Sequence, residues 1–282
     1  MKLESLQLKE LFKLKLSVKN KGDWDIVKRR EERRIKDKDF YETVEEVFNT
    51  PTLLALYHVM RKGFIDRMYG VVSAGKEARV YWAKDRRGRD VAVKIYLTFT
   101  AEFRKSIKQY IIGDPRFEAV SSDLRKLILK WVQKEYKNLK RMFSAGIRVP
   151  EPYYVYRNIL VMEFIGENGV RAPLLKEVPL TKEEYERIYR KVVEYMRRMY
   201  RIAGLVHADL SEYNIMVYHG EPVIIDVSQA VTLDHPLSTH FLLRDIRNII
   251  RFFRENAGIE THTIEELYKV ITDKEGVLEW EE

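Results

Sequence analysis

The chain contains no cysteine. That excludes disulfides and thiolate metal sites and fits a reducing compartment. Nor is there any apolar run approaching the roughly 20 residues of a membrane-spanning helix, and the opening MKLESLQLKELFKLKL is too charged for a secretory signal. The expectation is a cytoplasmic protein with no membrane association. What is present suffices for one large domain or two modest ones, with 45% hydrophobic residues in 282.

The formal charge is +8, and it is unevenly spread. Between Arg104 and Arg148 twelve lysines and arginines face four carboxylates, a surplus equal to that of the whole chain. From Ile259 to Glu282 eight carboxylates face two basic residues. Solvated helix faces explain any single cluster; the asymmetry between segments points to a polyanionic partner, and RNA through the 104–148 region is the expectation.

Residues 1–47 alternate charged and apolar positions and read as a charged helical extension. Thr50-Pro51 suits a helix start, with LLALYHVMRKG running to a glycine stop. The period then changes. VVSAG, ARVYWA and DVAVKIY are short β-branched or aromatic segments, and RRGR between the last two is a hairpin turn.

Gly70, Gly75 and Lys76 have the spacing of a Walker A loop, yet the next residue is Glu77, not the Ser or Thr that Mg²⁺ requires. A Walker A loop must also open a helix, whose N-terminus supplies part of the anion site. Here the loop opens a strand that returns antiparallel into Val91-Ala92-Val93-Lys94. A glycine turn over phosphates followed by a lysine on the third strand is the protein-kinase arrangement. Ser73, Gly75, Lys76, Glu77 and Lys94 are the candidate ATP-phosphate residues, although the three-glycine form of the kinase loop is absent.

From Ser121 to Ala145 one apolar stripe runs through Ile128, Trp131, Val132, Tyr136, Leu139 and Met142, and Glu135 lies on it. A carboxylate facing inward needs a cation, and Lys94 is the candidate, against a stripe-edge glutamate facing water. NILVMEFI then reads as the last strand of a small sheet entering a glycine-containing connection. In a kinase this is where adenine binds, with backbone atoms of Glu163 and Ile165 as candidates and Met162 guarding the deeper pocket. A plain core strand would read the same.

The helix LTKEEYERIYRKVVEYMRRMYRIAG, stopped by Gly204, leads into LVHADLSEYNIMVYHGEPVIID. His207, Asp209 and Asn214 match the catalytic loop H-R-D-L-x-x-x-N except at the arginine, which is Ala208. Strands NIMVYH and PVIID flank a turn at Gly220-Glu221, the second ending on Asp226. Phosphoryl transfer is mostly positioning and charge neutralisation, so it needs one carboxylate near the attacking group and an amide plus a second carboxylate for the metal. Asp209 is the candidate base, Asn214 and Asp226 the candidate ligands of Mg²⁺ (or Mn²⁺). His207 reads as structural, and so does Asp245, bracing the loop from an apolar helix.

SAGKEARVY, VAVKIY, WVQKEYKNL, RVPEP, LVHADLSEYN, IDVSQAV and HP…FLLRDIRNIIRFF resemble the RIO family of atypical protein kinases, in its type-one branch. The resemblance covers about Phe48 to Gly258. It implies an α+β fold, a trimmed bilobal kinase with an antiparallel-sheet N-lobe over 48–165, a flexible loop at 97–122, and a mainly helical reduced C-lobe over 166–282 with an acidic tail. It also implies serine phosphorylation, an ATPase cycle with an aspartyl phosphate on Asp226, and a role in late maturation of the small ribosomal subunit, with the pre-ribosomal particle as partner. Ala208, Ser211 in place of the usual lysine, and the absence of an Ala-Pro-Glu motif depart from ordinary kinases and argue against broad peptide phosphorylation. Ser106, Ser121 and Ser122 are candidate self-phosphorylation sites. The alternative is a small-molecule phosphotransferase of the aminoglycoside or choline kinase type, for which an acidic substrate pocket is expected.

Overall fold

The structure is a computed structural model and describes residues 47–97, 107–117 and 124–272. The charged extension, the acidic end of the tail and Ser106, Ser121 and Ser122 lie outside the described residues. The chain divides into two compact units, one of residues 1–100 and 153–162, the other of 101–152 and 163–282.

In the first unit, helix α1 (Thr50–Arg61) is capped one residue earlier than the sequence suggests. Asn49 accepts a hydrogen bond from the Thr52 N–H at 3.0 Å, and Pro51 occupies the first turn, where a missing N–H costs nothing. Strands β1 (Arg67–Ala74), β2 (Ala78–Lys84), β3 (Asp90–Tyr96), β4 (Pro152–Tyr156) and β5 (Ile159–Glu163) form one sheet in the order β1-β2-β3-β5-β4. Antiparallel pairing of β1 with β2 and of β2 with β3 matches the hairpins read from the sequence. The RRGR turn owes its shape to Asp85, whose carboxylate accepts from the N–H groups of Arg87 and Arg89 and from the Arg89 guanidinium. Leu56, Val59, Ile65, Val93, Ile95, Ile159 and Val161 fill the core between α1 and the sheet.

The second unit includes residues 107–117, part of the expected flexible loop over 97–122. Residues 107–111 are helical, Pro115–Phe117 form a 3₁₀ turn, and Ile107, Tyr110 and Phe117 are buried. Helix α2 (Leu124–Ser144) follows, and residues 121–123 of the expected helix lie outside the described residues. Strands β6 (Gly166–Glu167) and β7 (Val170–Arg171) make a small hairpin in the expected connection. Helix α3 (Lys182–Arg201) is fixed by a capping box in which Thr181 and Glu184 satisfy each other's backbone N–H groups. Then come β8 (Leu205–Val206), β9 (Ile215–Tyr218), β10 (Glu221–Ile224), β11 (Val231–Thr232), α4 (Ser238–Arg251), a π-helical turn (Phe252–Asn256) and α5 (Ile264–Thr272). The β9–β10 turn centres on His219 and Gly220, both at positive φ, one residue before the expected place.

Candidate active site

Two short antiparallel pairs build the site. β9 pairs with β10 and joins Ile215 to Ile224; β8 pairs with β11 and joins Val206 to Val231. The loop 207–214 and the loop 225–230 are therefore pinned side by side at both ends. Between the pins the Ile225 N–H donates to the Asn214 carbonyl at 2.9 Å, and His207 Nε2 lies 3.2 Å from the Ile225 carbonyl. This gives His207 the expected structural role: Nε2 carries the proton, and burial pushes the imidazole down to about 4, so the ring is neutral.

On these loops Asp209, Asn214 and Asp226 come together. The Asn214 amide nitrogen donates to the Asp209 carbonyl at 2.7 Å and to its carboxylate at 3.3 Å. That orientation turns the amide oxygen away from Asp209. Burial, with the charge of Asp226 nearby, raises the Asp209 carboxyl above its ordinary range, against the pull of Arg244 and of the Asn214 hydrogen bond. Asp226 is exposed, sits two residues past the end of β10 in the left-handed conformation (φ 56°), and accepts a hydrogen bond from the Ser228 hydroxyl at 3.1 Å. The Asp226 carboxylate and the Asn214 amide oxygen are hard oxygen donors, and they suit Mg²⁺, which is held by one or two carboxylates plus substrate phosphates. No group of three or more His, Cys, Asp or Glu residues able to hold a metal occurs among the described residues. The donor set thus fits a metal completed by phosphate, not one caged by protein.

Asp245 braces the loop as the sequence suggests. Its two oxygens accept from the N–H groups of Ala208 and Leu210, both at 2.8 Å, and burial pushes it up to about 8. Ala208 is left-handed (φ 68°), a conformation unfavourable for a residue with a Cβ, and the Asp245 bonds hold it there. The neighbouring Arg244 donates to the Ala208 carbonyl and, at 3.3 Å, to the Tyr110 hydroxyl. A cation thus stands beside the catalytic loop although both usual basic positions, here Ala208 and Ser211, lack one.

The other candidates are distributed over both units. Gly75, Lys76 and Glu77 form the β1–β2 turn, closed by the Gly75 N–H to the Ala78 carbonyl at 3.0 Å, and Ser73 is exposed at the end of β1. Lys94 on β3 is buried, its ammonium 5.1 Å from the Tyr96 ring centre. Met162 ends the first unit's share of β5. Glu135, buried on α2, belongs to the second unit, as do Glu163 and Ile165. The Glu163 N–H donates to the Glu151 carbonyl and its carboxylate grips Arg148 at 2.6 Å, while the Ile165 carbonyl accepts from Ala172. Sequence reasoning did not single out Tyr110, Arg116, Lys134, Asn138 or Arg244. The helical period could have found two of them, since Lys134 and Asn138 fall three and seven residues after Trp131 on the stripe that carries Glu135.

An acid–amide–acid set on paired loops in one unit, and in the other an antiparallel sheet with a lysine on its third strand, define a phosphotransferase of the protein-kinase class. The RIO domain family matches residues 79–267. The chain is 45% identical over 243 residues to the RIO-type serine/threonine-protein kinase Rio1 of Haloferax volcanii, which covers 86% of this chain and 82% of that one. It is 38% identical to the corresponding protein of Methanocaldococcus jannaschii over 94% of this chain and 91% of that one. Serine/threonine-protein kinase RIO1 of Homo sapiens is 43% identical over 85% of this chain, which spans 42% of that relative's length. In fold the chain is similar to the Rio2 kinase of Chaetomium thermophilum, crystallised as an ADP/Mg²⁺-phosphoaspartate complex, with a TM-score of 0.61, 22% identity, and coverage of 79% of this chain and 67% of that one. The chain belongs to the RIO family of kinases, in its Rio1 branch.

Proposed function

We propose that the chain is an ATP-dependent serine/threonine kinase and ATPase that works in the cytoplasm on late maturation of the small ribosomal subunit. It passes the γ-phosphoryl group to serine, on itself or on a particle protein, or transiently to its own Asp226. The observation that carries this reading is the pairing of loops 207–214 and 225–230, with Asn214 hydrogen-bonded to Asp209 and the Asp226 charge near enough to raise the Asp209 carboxyl.

In transfer to serine, Asp209 takes the hydroxyl proton as the serine oxygen bonds to the γ-phosphorus, and the bridging P–O bond breaks with its electron pair leaving on ADP. In the ATPase route an Asp226 oxygen attacks the γ-phosphorus and forms an acyl phosphate as the bridging P–O bond breaks and ADP leaves; water, its proton taken by Asp209, then cleaves it, restoring the carboxylate and releasing inorganic phosphate. Mg²⁺ (or Mn²⁺), when held by Asn214 and Asp226, neutralises phosphate charge. Ser73, Gly75, Lys76, Glu77, Lys94 and Glu135 serve the nucleotide's phosphates, and Met162, Glu163 and Ile165 its base. The engaged Glu163 N–H and Ile165 carbonyl favour the Glu163 carbonyl and Ile165 N–H as the adenine-reading pair. Phosphoaspartate in the Chaetomium Rio2 crystal supports the Asp226 route by analogy.

The partner is RNA of the pre-small-subunit particle. Arg125, Lys126, Lys130, Lys137, Lys140 and Arg141 are exposed along α2, and the helix's single carboxylate, Glu135, is buried, so that face carries charge of one sign. Labelled ATP tests the chemistry. Acid-stable label marks serine transfer, and label released by hydroxylamine marks the acyl phosphate. Binding of small-subunit RNA that weakens steeply with salt tests the partner; turnover of aminoglycosides would overturn the reading in favour of a small-molecule phosphotransferase.

A further inference from the structure

The four residues after Asp226 have every backbone carbonyl claimed by a side chain from elsewhere in the second unit. Asn138 Nδ2 donates to the Val227 carbonyl at 2.9 Å and to the Ala230 carbonyl at 3.0 Å. Lys134 Nζ donates to the Ser228 carbonyl at 3.0 Å and the Gln229 carbonyl at 3.2 Å. Arg116 closes the set: it reaches the Ala230 carbonyl at 3.5 Å, donates to Asn138 Oδ1 at 2.9 Å, and is itself held by the buried Asp114 carboxylate at 2.6 Å. The Asn138 amide has thereby used both protons and its oxygen.

Lys134 is 2% exposed, with its ammonium 4.3 Å from the Trp131 ring centre. Its hydrogen bonds go to neutral carbonyls, and burial, aided by the Arg116 charge, pushes its pKa well below the ordinary lysine value. A methionine would avoid desolvating a cation but would leave the Ser228 and Gln229 carbonyls without their donor, so the work of this lysine is to hold those two carbonyls. The captured loop begins at a left-handed, non-glycine Asp226, and Ser228, whose carbonyl Lys134 holds, donates its hydroxyl to the Asp226 carboxylate.

We propose that Lys134 and Asn138, backed by Arg116, are positioning residues for phosphoryl transfer: they clamp the 227–230 backbone so that Asp226 keeps its conformation and aims its carboxylate at the metal and phosphate. The inference rests on the metal role proposed for Asp226. The geometry also links the 107–117 segment to the site, because Arg116 comes from it.

The test is calorimetric titration of Mn²⁺·ADP into the full chain, with amide hydrogen exchange across 227–230 and thermal melts alongside. Lys134→Met and Asn138→Ala are each expected to weaken Mn²⁺·ADP binding about tenfold, the scale for losing a group that orients a metal ligand, and to speed exchange at 227–230. Lys134→Met strands the Ser228 and Gln229 carbonyls and is expected to lower the melting temperature; a merely structural lysine would do that much but would leave Mn²⁺·ADP binding by the folded variant unchanged. Asp226→Asn is the reference. If it weakens binding while Lys134→Met and Asn138→Ala do not, the clamp is overturned and the metal reading stands. If Asp226→Asn leaves binding unchanged, the metal reading falls and takes the inference with it. Should Lys134→Met fail to fold, Arg116→Ala on the part-exposed side of the cluster carries the test, and unchanged binding there overturns the inference.

Discussion

The two regions that the sequence assigns to ATP chemistry are built on opposite principles. In the first unit the phosphate turn contains Gly75, yet Gly75 is not in the left-handed region, and a Cβ placed on it would meet only the Ala78 carbonyl, at 3.4 Å. In the second unit the two left-handed residues of the paired loops, Ala208 and Asp226, both carry a Cβ. Conformational strain is thus concentrated where charge must be aimed and where Asp245, Lys134 and Asn138 supply the compensating bonds. The glycine of the other region offers space, not conformational freedom.

The largest effect should come from the second region. Asp209→Ala is expected to lower ATP turnover and serine labelling by about 10²–10⁴-fold, the usual share of a general base. Unchanged turnover in a folded variant would remove the catalytic loop from the chemistry and with it the contrast between the regions. Asp245→Ala should come next, as a loss of stability. It strands the buried N–H groups of Ala208 and Leu210, at a cost of about 2–4 kcal/mol, read as a shift of the urea midpoint. Asp245→Asn keeps one acceptor and should fall between wild type and alanine.

How much of this was legible follows the same division. The hairpins, the lysine on β3 and the spacing of Asp209, Asn214 and Asp226 could be read because local chemistry fixes them: alternation makes strands, and a phosphoryl site needs those groups in that order. Asp245 was readable as a brace because a carboxylate on an apolar helix must find donors. The clamp was not. The helical period puts Lys134 and Asn138 on the buried stripe, but their partners are backbone carbonyls about 90 residues away, a pairing that leaves no sequence pattern. The helical turn within 107–117, a stretch expected to belong to a flexible loop, leaves no sequence signal for a similar reason, since Asp114–Arg116 and tertiary burial of Tyr110 hold it, and not any period.

A third test sharpens the comparison through pH. His207 is buried and neutral in the fold, with its pKa near 4, against an ordinary 6.5 when unfolded. Below pH 6.5 the unfolded chain takes a proton that the fold refuses, so the stability from this group is present above 6.5 and is lost as pH falls toward 4. The loss is about 3 kcal/mol over that window. Asp245 has the opposite sign: its raised pKa gives stability that is full below about 4 and lost as pH rises toward 8. Subtracting the curve of His207→Leu from that of wild type isolates the first slope. A flat difference between pH 4 and 6.5 would mean that the histidine is hydrated and the two loops are less tightly closed than their hydrogen bonds indicate.

The smallest effect belongs to the glycine turn. Because Gly75 has no need of a left-handed backbone and its surroundings leave room for a methyl group, Gly75→Ala should change stability by less than about 1 kcal/mol, with a slight gain from the narrower unfolded ensemble. If the turn works by letting its backbone approach the nucleotide's phosphates, the same substitution should raise the KM for ATP while leaving kcat close to wild type, since it touches neither Asp209 nor Asp226. A fall in stability of 2 kcal/mol or more would show that the turn is conformationally strained after all, and the distinction between a spacious region and a strained one would not hold.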